Sequence, residues 1–325
     1  MNSTNIDNFI QQLKQIQSEF YATFGVTDII TNSKIFEILI ANSLDHILIP
    51  GHSGSRDGKD SAGNEFEYKH YKESSSNHTW TFNDFSDTTI AKLLNTKAVI
   101  FAHIQDVDVP FSKFDWYYEV PGREISDYLA TATRKIKNKR KMINVSSNQI
   151  EEHLGLTKQM VGRSAGRYSS WIKRIINAAS QIEKEVGTTG ILTSNKFWEV
   201  LVALKLGHRV QSEQAKHDAV DDLGNLYEYK VAKGLSWSFQ DISSDVLRKY
   251  LSDRSVILAS VDKNNFVVEK IYDADAKKVV RLLKRKLCEK GRRYLSLGKE
   301  VRRKQVSLNL KDLKSIQAKL VYSSD

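Results

Sequence analysis

Cysteine is almost absent from this 325-residue chain, which holds Cys288 alone. One thiol excludes an intrachain disulfide and any zinc site built from cysteines. Long apolar runs are missing too. No stretch of about 18 consecutive apolar residues occurs, so no transmembrane helix is expected. The opening MNSTNIDNFIQQLKQ lacks the basic patch, apolar stretch and small-residue cleavage site of a signal peptide. A cytoplasmic protein without a membrane partner is the expectation.

What is present suffices for a packed core. Hydrophobic residues make up 40% of the chain, and the length allows one large or two medium domains. The net charge of +10 is placed unevenly. Residues 1–150 hold 16 Lys/Arg against 18 Asp/Glu, whereas residues 151–325 hold 33 against 21. The surplus concentrates in 277–304, KKVVRLLKRKLCEKGRRYLSLGKEVRRK. A local surplus of this kind points to a polyanion, usually nucleic acid; a solvated helix face is the alternative.

Compared with itself, the chain repeats. Phe24 to Thr31 answers Val186 to Thr193, and Lys34-Ile35-Phe36-Glu37 answers Lys196-Phe197-Trp198-Glu199. Asp57, Asp60, Gly63-Asn64, Glu67-Tyr68-Lys69 and Lys72 meet Asp218, Asp221, Gly224-Asn225, Glu228-Tyr229-Lys230 and Lys233. Further on, Trp80-Thr81-Phe82 meets Trp237-Ser238-Phe239, and Ala98 to Ala102 meets Ser255 to Ala259. Arg140-Lys141 and Arg303-Lys304 close the series. Such collinearity marks an internal duplication, with units 1–160 and 161–325.

Each unit reads as α/β. Phe9, Leu13, Ile16, Phe20 and Phe24 keep helical spacing, as do Trp171, Ile175, Ala178, Ile182 and Val186. A second helix is expected to about Asp45 and Gly207. Short strands follow at 47–49, on both sides of the Gly63-Asn64 turn, and at 97–102. The segments 84–94 and 241–251 read as helices, and 116–120 and 266–271 as further strands. The expectation is a central mixed β-sheet flanked by helices in each unit. Residues 147–163 have the outline of a helix-turn-helix pivoting on Gly155, for which a single ordinary helix is the alternative.

The chemistry gathers around the Gly-Asn turn. Strand side chains alternate, so Glu67 and Lys69 share one face and Tyr68 takes the other. A hairpin across Gly63-Asn64 brings Asp57 or Asp60 beside Glu67, depending on register. Asp57 and Asp218 are favoured; Asp60 and Asp221 are the alternatives. Neighbouring carboxylates repel and raise each other's pKa unless a cation sits between them. Hard oxygen ligands suit magnesium, with manganese as a substitute. A lysine one strand step on can orient an attacking water and stabilise developing charge.

Asp57…Glu67-Tyr68-Lys69 and Asp218…Glu228-Tyr229-Lys230 resemble the signature of the PD-(D/E)XK nucleases, the superfamily that holds most type II restriction endonucleases. The order of predicted elements resembles that superfamily's core over most of each unit. The resemblance implies two tandem restriction-endonuclease-like folds in one chain. It implies that Asp57, Glu67, Asp218 and Glu228 bind metal, while Lys69 and Lys230 serve the water. Glu37 and Glu199 fall where many members carry a further metal-site glutamate. The motif's proline is absent, since Arg56 and His217 precede the aspartates.

The remaining candidates concern the substrate. Lys72 and Lys233 are placed to meet DNA phosphates, with solvated loop positions as the alternative. Asn83 and Gln240 open the next helix and can orient phosphate or water. Arg140, Lys141, Arg303 and Lys304 fit segments flanking a DNA cleft, where they give affinity without base information. Trp80 and Trp237 are expected to pack the next helix onto the sheet, and His46 and His208 to cap a helix.

The leading expectation is a type II restriction endonuclease acting as a pseudo-dimer, a double-strand break coming from one monomer. It implies double-stranded DNA as substrate and a cognate DNA methyltransferase as functional partner. A repair or structure-specific nuclease is the alternative within enzymes. A catalytically silent DNA-binding protein is the alternative outside them.

Overall fold

The structure, a computed structural model, describes residues 3–30, 33–50, 56–83, 86–109, 111–136, 142–162, 166–194, 196–212, 215–298, 301 and 303–324. Among these residues the first repeat runs α1 (Ser3–Phe24), α2 (Lys34–Ser43), β1 (Ile47–Leu48), β2 (Gly58–Lys59), β3 (Glu65–Lys72), β4 (Trp80–Phe82) and α3 (Asp87–Leu93). It continues with β5 (Ala98–Gln105), β6 (Lys113–Pro121), α4 (Gly122–Lys135), β7 (Ile143–Val145), α5 (Ser147–Leu154) and β8 (Gln159–Met160). The second repeats the order: α6 (Ser169–Val186), α7 (Lys196–Leu206), β9 (Arg209–Val210), β10 (Ala219–Val220), β11 (Leu226–Ala232), β12 (Ser236–Phe239) and α8 (Ser244–Ser252). It ends with β13 (Ser255–Asp262), β14 (Val267–Asp275), α9 (Ala276–Ser296), β15 (Val306–Asn309), α10 (Leu310–Ser315) and β16 (Lys319–Ser323).

Two compact units result. The N-terminal unit comprises Gln15–Ile29 and Ser33–Asn177; the C-terminal unit comprises Met1–Lys14, Ile30–Asn32 and Ala178–Asp325. The boundaries cut α1 and α6, so neither unit is a continuous stretch of chain.

In the N-terminal unit a six-stranded mixed sheet has the order β1-β2-β3-β5-β6-β8. Strands β3 and β5 run parallel, with Glu67 opposite Val99 and Lys69 opposite Phe101. The other pairs are antiparallel. The parallel pair needs a crossover, which β4 and α3 supply. The C-terminal unit has a sheet of the same order, β9-β10-β11-β13-β14-β16, with β11 and β13 parallel and Glu228 opposite Val256. The duplication thus extends from residues to topology.

A small second sheet, β4 with β7 and β12 with β15, lies beyond what the hydrophobic pattern suggested. It holds the buried tryptophans. Trp80 Nε1 donates to the Ala102 carbonyl at 2.9 Å, and Trp237 Nε1 to the Ala259 carbonyl at 2.8 Å. Around Trp80 pack Phe82, Leu93, Phe101, Val120 and Leu129, all buried. The expected packing role of both tryptophans holds.

The helix-turn-helix outline does not. Helix α5 stops at Gly155, whose φ of 65° is cheap only for glycine, and the chain then enters β8 against β6. No helix among the described residues is long and apolar enough to cross a membrane.

Candidate active sites

The β2–β3 and β10–β11 hairpins give the two candidate aspartates of each repeat different places. Asp60 accepts from the Ala62 and Asn64 amides at 2.9 Å and from Asn64 Nδ2 at 2.8 Å. Asp221 accepts likewise from the Leu223 and Asn225 amides, from Asn225 Nδ2 and from the Tyr227 hydroxyl. Their oxygens close the turn, in which Gly63 and Gly224 take φ of 84° and 79°. The Asn225 side chain leads the hydrogen bonds that hold Asp221 down at about 2. Asp60 and Asp221 thus bond within the turn and do not line the cavities that hold Asp57 and Asp218.

Asp57 and Asp218 take the other place. Oδ2 of Asp57 accepts the Tyr68 amide at 2.7 Å, and Oδ2 of Asp218 the Tyr229 amide at 2.7 Å. Each carboxylate is pinned to the strand one residue from the glutamate. Glu67 and Glu228 are only 7% and 3% exposed, although both are acids. Lys69 donates to Oε1 of Glu67, and Lys230 to Oε1 of Glu228. From the helices come Glu37, paired with the buried Lys34, and Glu199, paired with the buried Lys196.

These side chains meet in one cavity per unit. The N-terminal cavity, about 290 Å³, is lined by Glu37, Asp57, Glu67, Lys69, Thr79 and Thr81 among others. The C-terminal cavity, about 570 Å³, is lined by Glu199, Asp218, Glu228, Lys230, Gln240 and Tyr250 among others. Burial pushes Glu37 and Glu67 up to about 7, with Asp57 adding to both. Burial, then Glu228, raises Asp218; burial, then Asp218, raises Glu199. Burial opposes the charge on Lys69, yet Glu67 and Asp57 hold its pKa up. Acids kept this far from water, with one lysine on the shared strand face, store charge repulsion that a cation relieves.

Oε2 of Glu67, like Oε2 of Glu228, is buried with no hydrogen-bond partner among the described residues. An unpaired buried carboxylate oxygen is costly, and a hard cation answers it. No group of three or more His, Cys, Asp or Glu placed to hold a metal ion occurs among the described residues. Magnesium does not need one, because it binds one or two carboxylates and keeps its waters.

The substrate candidates fare unevenly. Gln240 lines the C-terminal cavity, and its Oε1 accepts from Arg303 Nη2 at 2.6 Å, so two predicted residues far apart in the chain meet at one rim. Arg303 also donates to Asp241 at 3.1 Å. Lys233, Lys304 and Asn83 are exposed, and Lys72 is half-buried at the end of β3. Arg140 and Lys141 lie outside the described residues. His46 and His208 do not cap by charge: burial lowers their pKa, and each Nδ1 bonds a tyrosine hydroxyl, Tyr68 at 2.9 Å and Tyr229 at 2.8 Å.

Sequence reasoning missed Lys249 and Tyr250. Lys249 Nζ stands 2.6 Å from Oε2 of Glu228, and Tyr250 lines the same cavity. A lysine and a tyrosine late in a short helix carry no mark of pointing toward a strand two elements earlier in the chain. No family model matches the chain, and no curated protein matches it in sequence.

Proposed function

We propose that the protein is a magnesium-dependent DNA endonuclease of the type II restriction kind, with one active site in each unit and a fold of the PD-(D/E)XK type. The observation that carries this reading is the recurrence of the constellation. Asp57, Glu67, Lys69 and Glu37 line one polar cavity, and Asp218, Glu228, Lys230 and Glu199 line another on equivalent elements. A scaffold has no need to bury acids twice in the same pattern. The basic surplus of the second half supports a polyanionic substrate.

Asp57 with Glu67, and Asp218 with Glu228, would hold the cation, Glu37 and Glu199 standing beside them. Bound there, the cation supplies Lewis-acid polarisation of a phosphate oxygen and acidification of a water. Lys69 and Lys230 orient that water for in-line attack and neutralise charge on the phosphate. Gln240, held by Arg303, and the hydroxyls of Thr79, Thr81, Ser236 and Ser238 position the strand at the rim. The test is a magnesium-dependent digestion of defined DNA, read by sequencing the ends. Discrete fragments with a common end sequence are expected. Smears or junction-specific cuts would indicate a repair nuclease, and intact DNA would overturn the enzymatic reading.

A further inference from the structure

The two cavities differ in a way the repeat itself makes visible. Ser86 and Ser243 cap α3 and α8 by the same bond, each hydroxyl accepting the amide three residues on. Counting from those caps, Lys249 answers Lys92 and Tyr250 answers Leu93. The lysine is common to both repeats, yet its surroundings are not. Lys92 is exposed, whereas Lys249 is half-buried with its ammonium against Glu228.

The consequence lies at the carboxylate. Both oxygens of Glu228 face an ammonium, Oε1 that of Lys230 and Oε2 that of Lys249. Neither Oε2 accepts a regular hydrogen bond among the described residues; the difference is that Glu228 Oε2 has the Lys249 ammonium at 2.6 Å, while Glu67 is ion-paired only through Oε1 to Lys69. Formal charges follow the same division. Glu199, Asp218 and Glu228 are matched by Lys196, Lys230 and Lys249, and the neighbouring buried Asp253 pairs with His217 at 2.6 Å. Among the described residues Glu37, Asp57 and Glu67 have Lys34 and Lys69 alone as paired lysines, which leaves one formal negative charge in excess.

We propose that Lys249 is an internal counter-ion on the cation-facing edge of Glu228, so that the two sites load a divalent cation unequally. The N-terminal site binds first. The C-terminal site binds only as Lys249 is displaced, and its larger cavity leaves room for that displacement. A DNA phosphate entering the cavity offers the departing ammonium a new partner, which couples loading of this site to substrate. No covalent step is involved: one cation exchanges for another at a carboxylate. Lys249 is thus a positioning residue, and the inference rests on the reading that these carboxylates hold a metal.

Calorimetric titration of the full-length protein with manganese, without DNA, tests it. Two affinity classes are expected, separated by about tenfold or more. Glu67→Gln should abolish the tighter class. Lys249→Met should strengthen the weaker class by about tenfold, Lys249→Arg should leave it weak, and Lys92→Met should change neither. The wild-type and Glu67→Gln arms stand even if Lys249→Met fails to fold. Two equal sites, a tight class that survives Glu67→Gln, or a folded Lys249→Met with an unchanged weak class would each overturn the inference alone. Absence of manganese binding in every variant would overturn it together with the cation-dependent function.

Discussion

At the scale of residues, the buried acids of the N-terminal cavity have a thermodynamic signature. Glu37 and Glu67 are raised from the usual carboxylate range to about 7. Between about 4.5 and 7 the folded protein therefore holds more protons than the unfolded chain, and stability falls as pH rises through that window. A cation bound at these acids removes the penalty. Magnesium should raise the melting temperature more at pH 8 than at pH 5, a difference that Glu67→Gln should diminish; equal increments at both pH values would count against a cation at Glu67. His70 has the opposite sign. Burial, with Lys69 and Lys72 nearby, pushes it down to about 4. Its stabilising contribution is complete above the ordinary histidine value near 6.5 and is lost as pH falls toward 4. The second repeat carries Val231 at this position. The substitution His70→Val should flatten the acid limb of a melting-temperature profile, and an unchanged limb would refute the assignment.

At the scale of elements, the join between β6 and α4 is closely packed backbone against backbone. A Cβ on Gly122 would lie 2.1 Å from the Thr96 carbonyl oxygen and 2.3 Å from that of Leu93. Backbone cannot give way as a side-chain tip does. Gly122→Ala should cost about 1–3 kcal/mol in denaturant unfolding, while Ala276→Gly at the matching join of α9 should cost less. Elements of this unit were legible to different degrees. The long amphipathic helices and the β3 and β5 strands follow from spacing alone. Strands β4 and β7 escape because three residues are too short for a period, and β8 because two exposed residues carry none. The Asp57 choice needed the hairpin register, which the Gly-Asn turn implies but does not number. Lys249 needed the direction of a helix relative to a strand, which no local pattern encodes.

At the scale of the whole molecule, the duplication makes a functional statement of its own. Each repeat carries the same set of candidate catalytic groups, so under the proposed endonuclease activity each would serve one strand of a duplex. Glu67→Gln or Glu228→Gln should convert double-strand cleavage into nicking of one defined strand, and the two variants should nick opposite strands. Supercoiled DNA run out on a gel, with the nick mapped by primer extension, distinguishes the outcomes. Full linearisation by either single variant would defeat the two-site reading. Because both sites travel on one chain, cleavage per molecule should not fall on dilution as it does for a pair of separable subunits.

The matched repeats have a genetic corollary. In a symmetric dimer of identical chains every substitution is made twice, once in each partner. In a fused pair it is made once. Tyr250 opposite Leu93, His70 opposite Val231 and Gly122 opposite Ala276 are differences that identical subunits could never hold. Joining the copies released each from the constraint of suiting both places, and left natural selection free to give one half a trait the other lacks.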